Sequence, residues 1–273
     1  MYESYWQLKQ KPFENGGDCR FYFPGESHQA AMLKLRYAVE NRRGGALLAG
    51  PTGSGKTLLV AMLRSLLGAK FAPFVHLVFP QMETDQLLGY LAAEMGLETN
   101  GATPAIEQSV RRIQHYLAEN TEHGRHAVVV IDEAHLLADA RTLEALRLLL
   151  NFELAGRPGL TLLLAGQPEI LPRLDRTPQL EERLGVKCLL RPFSEHETAQ
   201  YVEHRLKVAG AVEPIFSPDA LGTVYRLTRG VARRINRLCD LALLIGYAED
   251  RRTIDSAQVE AISRELTAVA PDA

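Results

Sequence analysis

Apolar residues along this 273-residue chain fall into two regimes. Up to about residue 192, short continuous apolar runs alternate with longer segments of helical period. The runs are Ala46–Ala49, Phe74–Phe79, Val128–Ile131, Thr161–Ala165 and Val186–Leu190. Each reads as a strand, and the continuous Val128–Ile131 run as one buried on both faces. Helices are predicted between them, over 27–43, from the end of the first glycine-rich loop to Leu67, and over 84–95, 105–120 and 141–154. The first has Ser27 as N-cap and Gly44-Gly45 as its stop. The last carries Leu143, Leu146, Leu150 and Leu154 on one face. Strands separated by helices imply right-handed crossovers, so five parallel strands in a three-layer αβα core are expected.

The pattern changes after Pro192. No strand is predicted there. Segments 194–210, 217–228, 231–247 and 255–266 read as four helices, the first opened by the capping box Ser194…Glu197. The chain is therefore expected to hold an α/β domain over 1–192 and an all-helical domain over 193–273. Residues 1–26, with Tyr5, Trp6, Phe13, Phe21, Tyr22 and Phe23, read as an irregular aromatic segment over the edge of the first domain. Residues 99–104 read as a loop.

Chemistry concentrates at two strand ends. Directly after the first run comes Gly50-Pro51-Thr52-Gly53-Ser54-Gly55-Lys56-Thr57, which fits G-x-x-x-x-G-K-[ST]. Its glycines let main-chain N–H groups wrap phosphates, and the following helix adds its positive end. The stretch Gly50 to Leu58 is the candidate nucleotide-binding loop. Lys56 is placed to reach the β/γ-phosphates of ATP, and Thr57 to ligate Mg²⁺. The third run ends in Asp132-Glu133. Carboxylates at that end of a parallel strand face the crevice where ligands bind. Asp132 is assigned to the Mg²⁺ shell and Glu133 to the general base that polarises water.

Composition narrows the setting. The chain is 46% hydrophobic and 23% charged with net charge −2, an ordinary globular balance. Neither half is basic overall, so any nucleic-acid contact needs a local patch. Cys19, Cys188 and Cys239 lie far apart without C-x-x-C spacing, which points to a reducing compartment and away from structural zinc. His123 and His126 have no Cys or carboxylate cluster beside them to make a metal site. No apolar run reaches membrane-spanning length, and the N-terminus lacks a signal-peptide pattern. A cytoplasmic protein is expected.

Asp132-Glu133-Ala134-His135 is shared with DEAH-box helicases, but the second RecA-like domain and the Ser-Ala-Thr element of those enzymes are missing. A small helical lid instead resembles the AAA+ ATPases. Within them the chain is similar to the ExeA/GspA-type ATPases from near Tyr5 to about Leu266. The resemblance is carried by Tyr5-x-x-Leu8…Pro12-Phe13, the 22–28 stretch, the P-loop, and Ile131–His135. It continues in Leu164-Ala165-Gly166-Gln167-Pro168-Glu169, Gly230–Asn236 and Leu238-Cys239-Asp240. Transposition ATPases of the TnsC/TniB and MuB kind are near neighbours. The resemblance implies that Gln167 is the sensor-1 residue that helps place water, beside a plainer reading as a turn residue. It implies that Arg233 is sensor-2 at the γ-phosphate, and that Arg183 is an arginine finger acting on a neighbouring subunit, with Arg173 and Arg176 as alternatives. Tyr22 and Phe23 line the adenine pocket or pack in a core.

Two functions follow. The first is a Mg²⁺-dependent ATPase whose nucleotide state drives a homo-oligomeric ring or filament and remodels a partner protein. The second is an ATP-dependent DNA-binding regulator of the transposition type. Arg226, Arg229, Arg233, Arg234 and Arg237 form the dense basic cluster that DNA would need. Better-known members of the secretion branch continue beyond the lid into a transmembrane helix and a peptidoglycan-binding domain. A free-standing member is the expectation for this chain.

Overall fold

The computed structural model describes residues 1–97, 105–137, 139–154 and 156–268. The loop expected over 99–104 lies outside the described residues. Two compact units are present. One comprises Ser27–Thr52 and Leu59–Leu190; the other comprises Met1–Glu26, Gly53–Leu58 and Arg191–Ala273.

The first unit is built on a parallel sheet. In chain order its elements are α1 (Glu26–Glu40), β1 (Gly45–Ala49), α2 (Lys56–Leu66), β2 (Phe74–Leu77), α3 (Thr84–Glu94), α4 (Ile106–Glu122), β3 (Ala127–Ile131) and α5 (Ala140–Leu149). A two-stranded hairpin, β4 (Glu153–Leu154) and β5 (Arg157–Pro158), precedes β6 (Leu160–Gly166). Then come α6 (Leu171–Asp175), α7 (Pro178–Arg183) and β7 (Leu184–Leu189). The five parallel strands lie in the order β2-β3-β6-β1-β7. Side chains alternate between faces along a strand. Leu47, Val129, Ile131, Leu162 and Leu164 join one core with Leu87, Leu91, Ile113, Leu117 and Leu146 from α3, α4 and α5. Their neighbours Leu48, Val128, Val130 and Leu163 face the other way and are also buried. Both faces are covered along β1, β3 and β6, which is why those strands read as apolar runs; the edge strands β2 and β7 carry His76 and Lys187 and are only partly buried.

The second unit holds four helices, α8 (Glu195–Val208), α9 (Pro218–Thr228), α10 (Ala232–Ala248) and α11 (Ser256–Ala268). The capping box at the start of α8 is formed: Ser194 Oγ accepts from Glu197 N, and the Glu197 carboxylate accepts from Ser194 N.

Here the structure corrects the placement of residues 1–26. They pack with the helices. Trp6, Phe13 and Phe21 are buried among Tyr201, Val202, Ile235 and Leu243. Trp6 Nε1 donates to Leu243 O at 2.9 Å, and Lys9 N donates to Ala209 O at 2.7 Å. Arg205 secures the same segment. It is buried, and its guanidinium donates to Pro12 O, Glu14 O and Tyr201 Oη while lying 4.7 Å from the Phe21 ring. A buried cation needs this many partners to offset its lost hydration.

Two further differences are local. The helix expected over 141–154 ends at Leu149. The chain then enters the β4–β5 hairpin, whose turn holds Gly156 at φ +73°, and Leu154 still packs on the sheet core. A leucine every third or fourth residue is met equally by a helix and by a hairpin that folds back. The short helices α6 and α7 were not anticipated, being too brief to show a period.

Candidate functional site

The glycine-rich loop leaves β1 at Gly50, whose N–H donates to Gly166 O at the end of β6, 3.1 Å away. Gly53 and Gly55 have φ of +77° and +90°, where an L side chain is strained. Such turns point successive N–H groups to one side, forming a nest for anions. α2 follows at once with Lys56 and Thr57 in its first turn and no acidic residue to oppose its positive end. Lys56 is buried and Thr57 exposed. Gly53 O accepts from Arg233 N at 3.1 Å, and a Cβ on Gly53 would stand 2.6 Å from the Arg233 Cβ. The candidate sensor-2 residue therefore sits in main-chain contact with the loop. A cradle of this kind fits nucleotide phosphates.

The carboxylate end is at the tip of β3. Asp132 is 1% exposed, and its N–H continues the ladder to Leu77 O at 2.8 Å. Its Oδ1 accepts from Glu133 N at 2.8 Å, and its Oδ2 lies 3.5 Å from His76 Nε2. A carboxylate this deep has the hard oxygen character that Mg²⁺ selects, so the donor set fits that ion. Glu133 adopts φ +48°, ψ +35°, an uncommon conformation for a non-glycine residue. Strain of that kind costs about 1–3 kcal/mol and gathers at functional sites. Glu133 Oε2 is buried and accepts no hydrogen bond among the described residues.

Gln167, the candidate sensor-1 residue, follows β6 directly. Its main-chain N–H donates to His135 Nδ1 at 3.3 Å, and its carboxamide meets His135 Nε2 at 2.8 Å. His135 Nδ1 is also 3.4 Å from Glu133 Oε2. Gly166 makes this approach possible, since a Cβ there would lie 3.1 Å from His135 N and 3.4 Å from His135 Nδ1. Asp132, Glu133, His135 and Gln167 thus converge at the sheet's carboxyl edge, beside the strand end to which Gly50 is bonded. The motif around His135 was visible in the sequence, but its contact with Gln167 joins residues from two strands and leaves no local signal. His76 went unnoticed for the same reason.

The remaining candidates separate. Arg183 ends α7, about half exposed, with Nη1 4.0 Å from Glu153 Oε1. Arg173 donates to Leu137 O at 2.5 Å and is engaged within its own unit. Arg176 is exposed at the end of α6. Phe23 packs edge-on against Phe193 and Tyr201, centroids 5.5 and 5.8 Å apart, which is core packing in the helical unit. The Tyr22 hydroxyl is buried, and burial pushes its pKa up to about 12. All five arginines of the basic cluster are exposed. Arg226 pairs with Glu260 at 3.2 Å; the other four make no ion pair among the described residues.

Residues 39–174 match the family model of the AAA domain. The chain carries an AAA domain. Its fold is that of the AAA+ P-loop nucleotide-binding proteins. General secretion pathway protein A of Aeromonas hydrophila is 32% identical over 273 residues, 98% of this chain and 49% of that protein. The chain spans about half the length of the curated relatives it matches. Among solved structures, Cdc6p of Pyrobaculum aerophilum superposes with TM-score 0.75 at 21% identity, covering 93% of this chain and 70% of that one. The Aeropyrum pernix ORC1 protein in complex with DNA superposes with TM-score 0.65 at 17% identity, covering 88% and 65%. At those identities the likeness is one of fold. No helix among the described residues is long and apolar enough to cross a membrane.

Proposed function

We propose that this chain binds ATP with Mg²⁺ and hydrolyses it, and that the nucleotide state governs assembly with further copies of itself and action on a partner. The observation that carries the reading is the buried Asp132 beside Glu133, whose Oε2 is buried and accepts no hydrogen bond among the described residues, at the edge where the glycine loop begins. A protein that only bound nucleotide would have no use for a strained, unsatisfied carboxylate there.

The division of labour follows from chemistry. Within Gly50 to Leu58, the main-chain N–H groups beyond Gly50, which is bonded to Gly166 O, and Pro51, which has none, bind the phosphates together with the Lys56 ammonium. Magnesium, held by Thr57 and Asp132, would supply charge neutralisation at the phosphate oxygens. Glu133 takes the proton of the attacking water as that water's oxygen bonds to the γ-phosphorus and the bond from that phosphorus to the β–γ bridging oxygen breaks, leaving ADP and phosphate. Gln167 orients the water, and Arg233 contacts the γ-phosphate. Arg183 serves the site of a neighbouring subunit, which makes the oligomer part of the reaction.

Lys56→Ala against Glu133→Gln tests the reading. Lys56→Ala should lose ATP binding, whereas Glu133→Gln should bind ATP and fail to turn it over. Wild-type turnover by Glu133→Gln would remove the assigned base. The first expectation for the partner is a protein, as the resemblance to the ExeA/GspA-type ATPases implies. A DNA partner is favoured by four exposed arginines without ion pairs among the described residues, and by the DNA complex of a protein with the same fold. Duplex affinity that falls steeply with salt would support it, since each neutralised phosphate releases about 0.9 of a counterion.

A further inference from the structure

Glu133, His135 and Gln167 pose a hydrogen-bonding conflict. Two groups compete for one ring nitrogen. The Gln167 N–H points at His135 Nδ1 at 3.3 Å, and Glu133 Oε2 lies 3.4 Å from the same atom. An N–H needs an acceptor there and a carboxylate oxygen needs a donor. Imidazole Nδ1 is one or the other, never both. If Nδ1 carried the proton it would bond Glu133, occupying one lone pair of Oε2 and lowering the basicity that the carboxylate offers to water. It would also leave the main-chain N–H of Gln167 facing a proton. If Nδ1 is bare, Gln167 N–H is satisfied and Glu133 Oε2 stays without a donor, as found. The proton then sits on Nε2. The Gln167 amide position that faces it, assigned as Nε2 and 2.8 Å away, must then be the amide oxygen, an exchange of nitrogen and oxygen that the hydrogen-bond network decides.

We propose that Gln167 holds His135 in the Nε2–H tautomer through main chain and side chain together, and that His135 so held is a positioning residue that keeps the Glu133 carboxylate uncaptured and aimed. This rests on Glu133 being the base for ATP hydrolysis. It deepens that reading by giving Gln167 a second task and assigning His135 one. The close approach that Gly166 permits is what lets one ring serve both neighbours.

The first test needs no turnover. Side-chain ¹⁵N NMR of the nucleotide-free protein should show His135 Nδ1 unprotonated and Nε2 protonated; a protonated Nδ1 would overturn the proposal. The second is kinetic. An Asn side chain can present an acceptor where Nδ1 stood, whereas Gln reaches towards Nε2. His135→Ala should lower kcat by about one to two orders of magnitude, as loss of positioning does, with KM and ATP affinity within about twofold of wild type. His135→Asn should recover most of kcat and His135→Gln should not. Equal kcat in His135→Ala and wild type would sink the idea, as would rescue by Gln rather than Asn. If the wild type hydrolyses no ATP, the function reading fails by itself, and the NMR result still decides the tautomer.

Discussion

Arg233 and Gly53 are joined through main chain: the Arg233 N–H donates to the Gly53 carbonyl at 3.1 Å, and a Cβ on Gly53 would stand 2.6 Å from the Arg233 Cβ. The contact couples the phosphate loop to the first turn of α10, whatever the arginine side chain does. Its two ends can be broken separately. Gly53→Ala adds a clash and occupies φ +77°, so it should cost about 1–3 kcal/mol of stability and weaken ATP binding. Arg233→Ala keeps the backbone bond and the Cβ. It should leave ADP affinity near wild type while slowing hydrolysis. Titration calorimetry with ADP, beside a phosphate-release assay, separates the two. An Arg233→Ala protein that binds ADP as poorly as Gly53→Ala would show the side chain to be a loop anchor rather than a γ-phosphate contact.

Arg205 offers a test of how the N-terminal segment is held. Trp6 is the chain's single tryptophan, so its emission reports on this segment alone. Arg205→Ala leaves the carbonyls of Pro12 and Glu14 without their donor. A loss of about 3 kcal/mol is expected from several charge-assisted bonds that do not add fully. Trp6 emission should shift to the red while far-ultraviolet circular dichroism stays close to wild type. Unchanged emission would mean that the aromatic packing holds the segment without the guanidinium.

What could be read from the chain beforehand was what is local. Each central strand is a buried run of a few residues, and the glycine loop and Asp132-Glu133 are contiguous motifs, so sheet and motif positions were legible. The parallel arrangement followed from the alternation with helices. Arg205 was not legible, because a basic residue in an amphipathic helix looks like a solvated one until residues 12–14 fold over it. Nor was the partnership of residues 1–26 with the helices, because aromatic residues announce burial without naming a partner. His135 and Gln167 stand 32 residues apart, and only the β3–β6 pairing brings them together. The end of α5 failed for another reason: leucine spacing specifies a face and does not say whether the chain continues or turns.

His126 should make the fold sensitive to acid. It is buried, with Nε2 2.9 Å from Thr161 Oγ1, and burial lowers its pKa from 6.5 to about 4. The folded state resists a proton that the unfolded chain accepts. The stability present above pH 6.5 is therefore lost as the pH falls from 6.5 towards 4. The full span is worth about 3 kcal/mol at about 1.36 kcal/mol per pKa unit. His204 is shifted down as well, mainly by burial, so the slope of the whole protein is not His126 alone. Urea midpoints of wild type and His126→Gln across that range isolate it. The difference between the two should shrink or reverse on acidification, and parallel curves would refute the assignment.

The choice among the three candidate fingers turns on what each guanidinium already does. Arg173 is bonded to Leu137 O in its own unit, and moving it would leave that carbonyl unmatched. Arg183 has only a 4.0 Å approach to Glu153, both side chains about half exposed, an interaction worth little. It can leave that pair at almost no cost, as a residue must if it is to reach a neighbour. Arg183→Ala should thus keep ATP affinity and lose hydrolysis by several orders of magnitude, the usual worth of such a finger. Mixing distinguishes a finger in trans from damage in cis. Lys56→Ala cannot bind ATP but keeps its Arg183, while Arg183→Ala binds ATP and lacks the finger. Combined, they should hydrolyse ATP faster than either alone, and light scattering of Glu133→Gln with ATP should show mass above the monomer. A mixture no more active than its parts, with a mass that stays monomeric, would confine Arg183 to its own subunit.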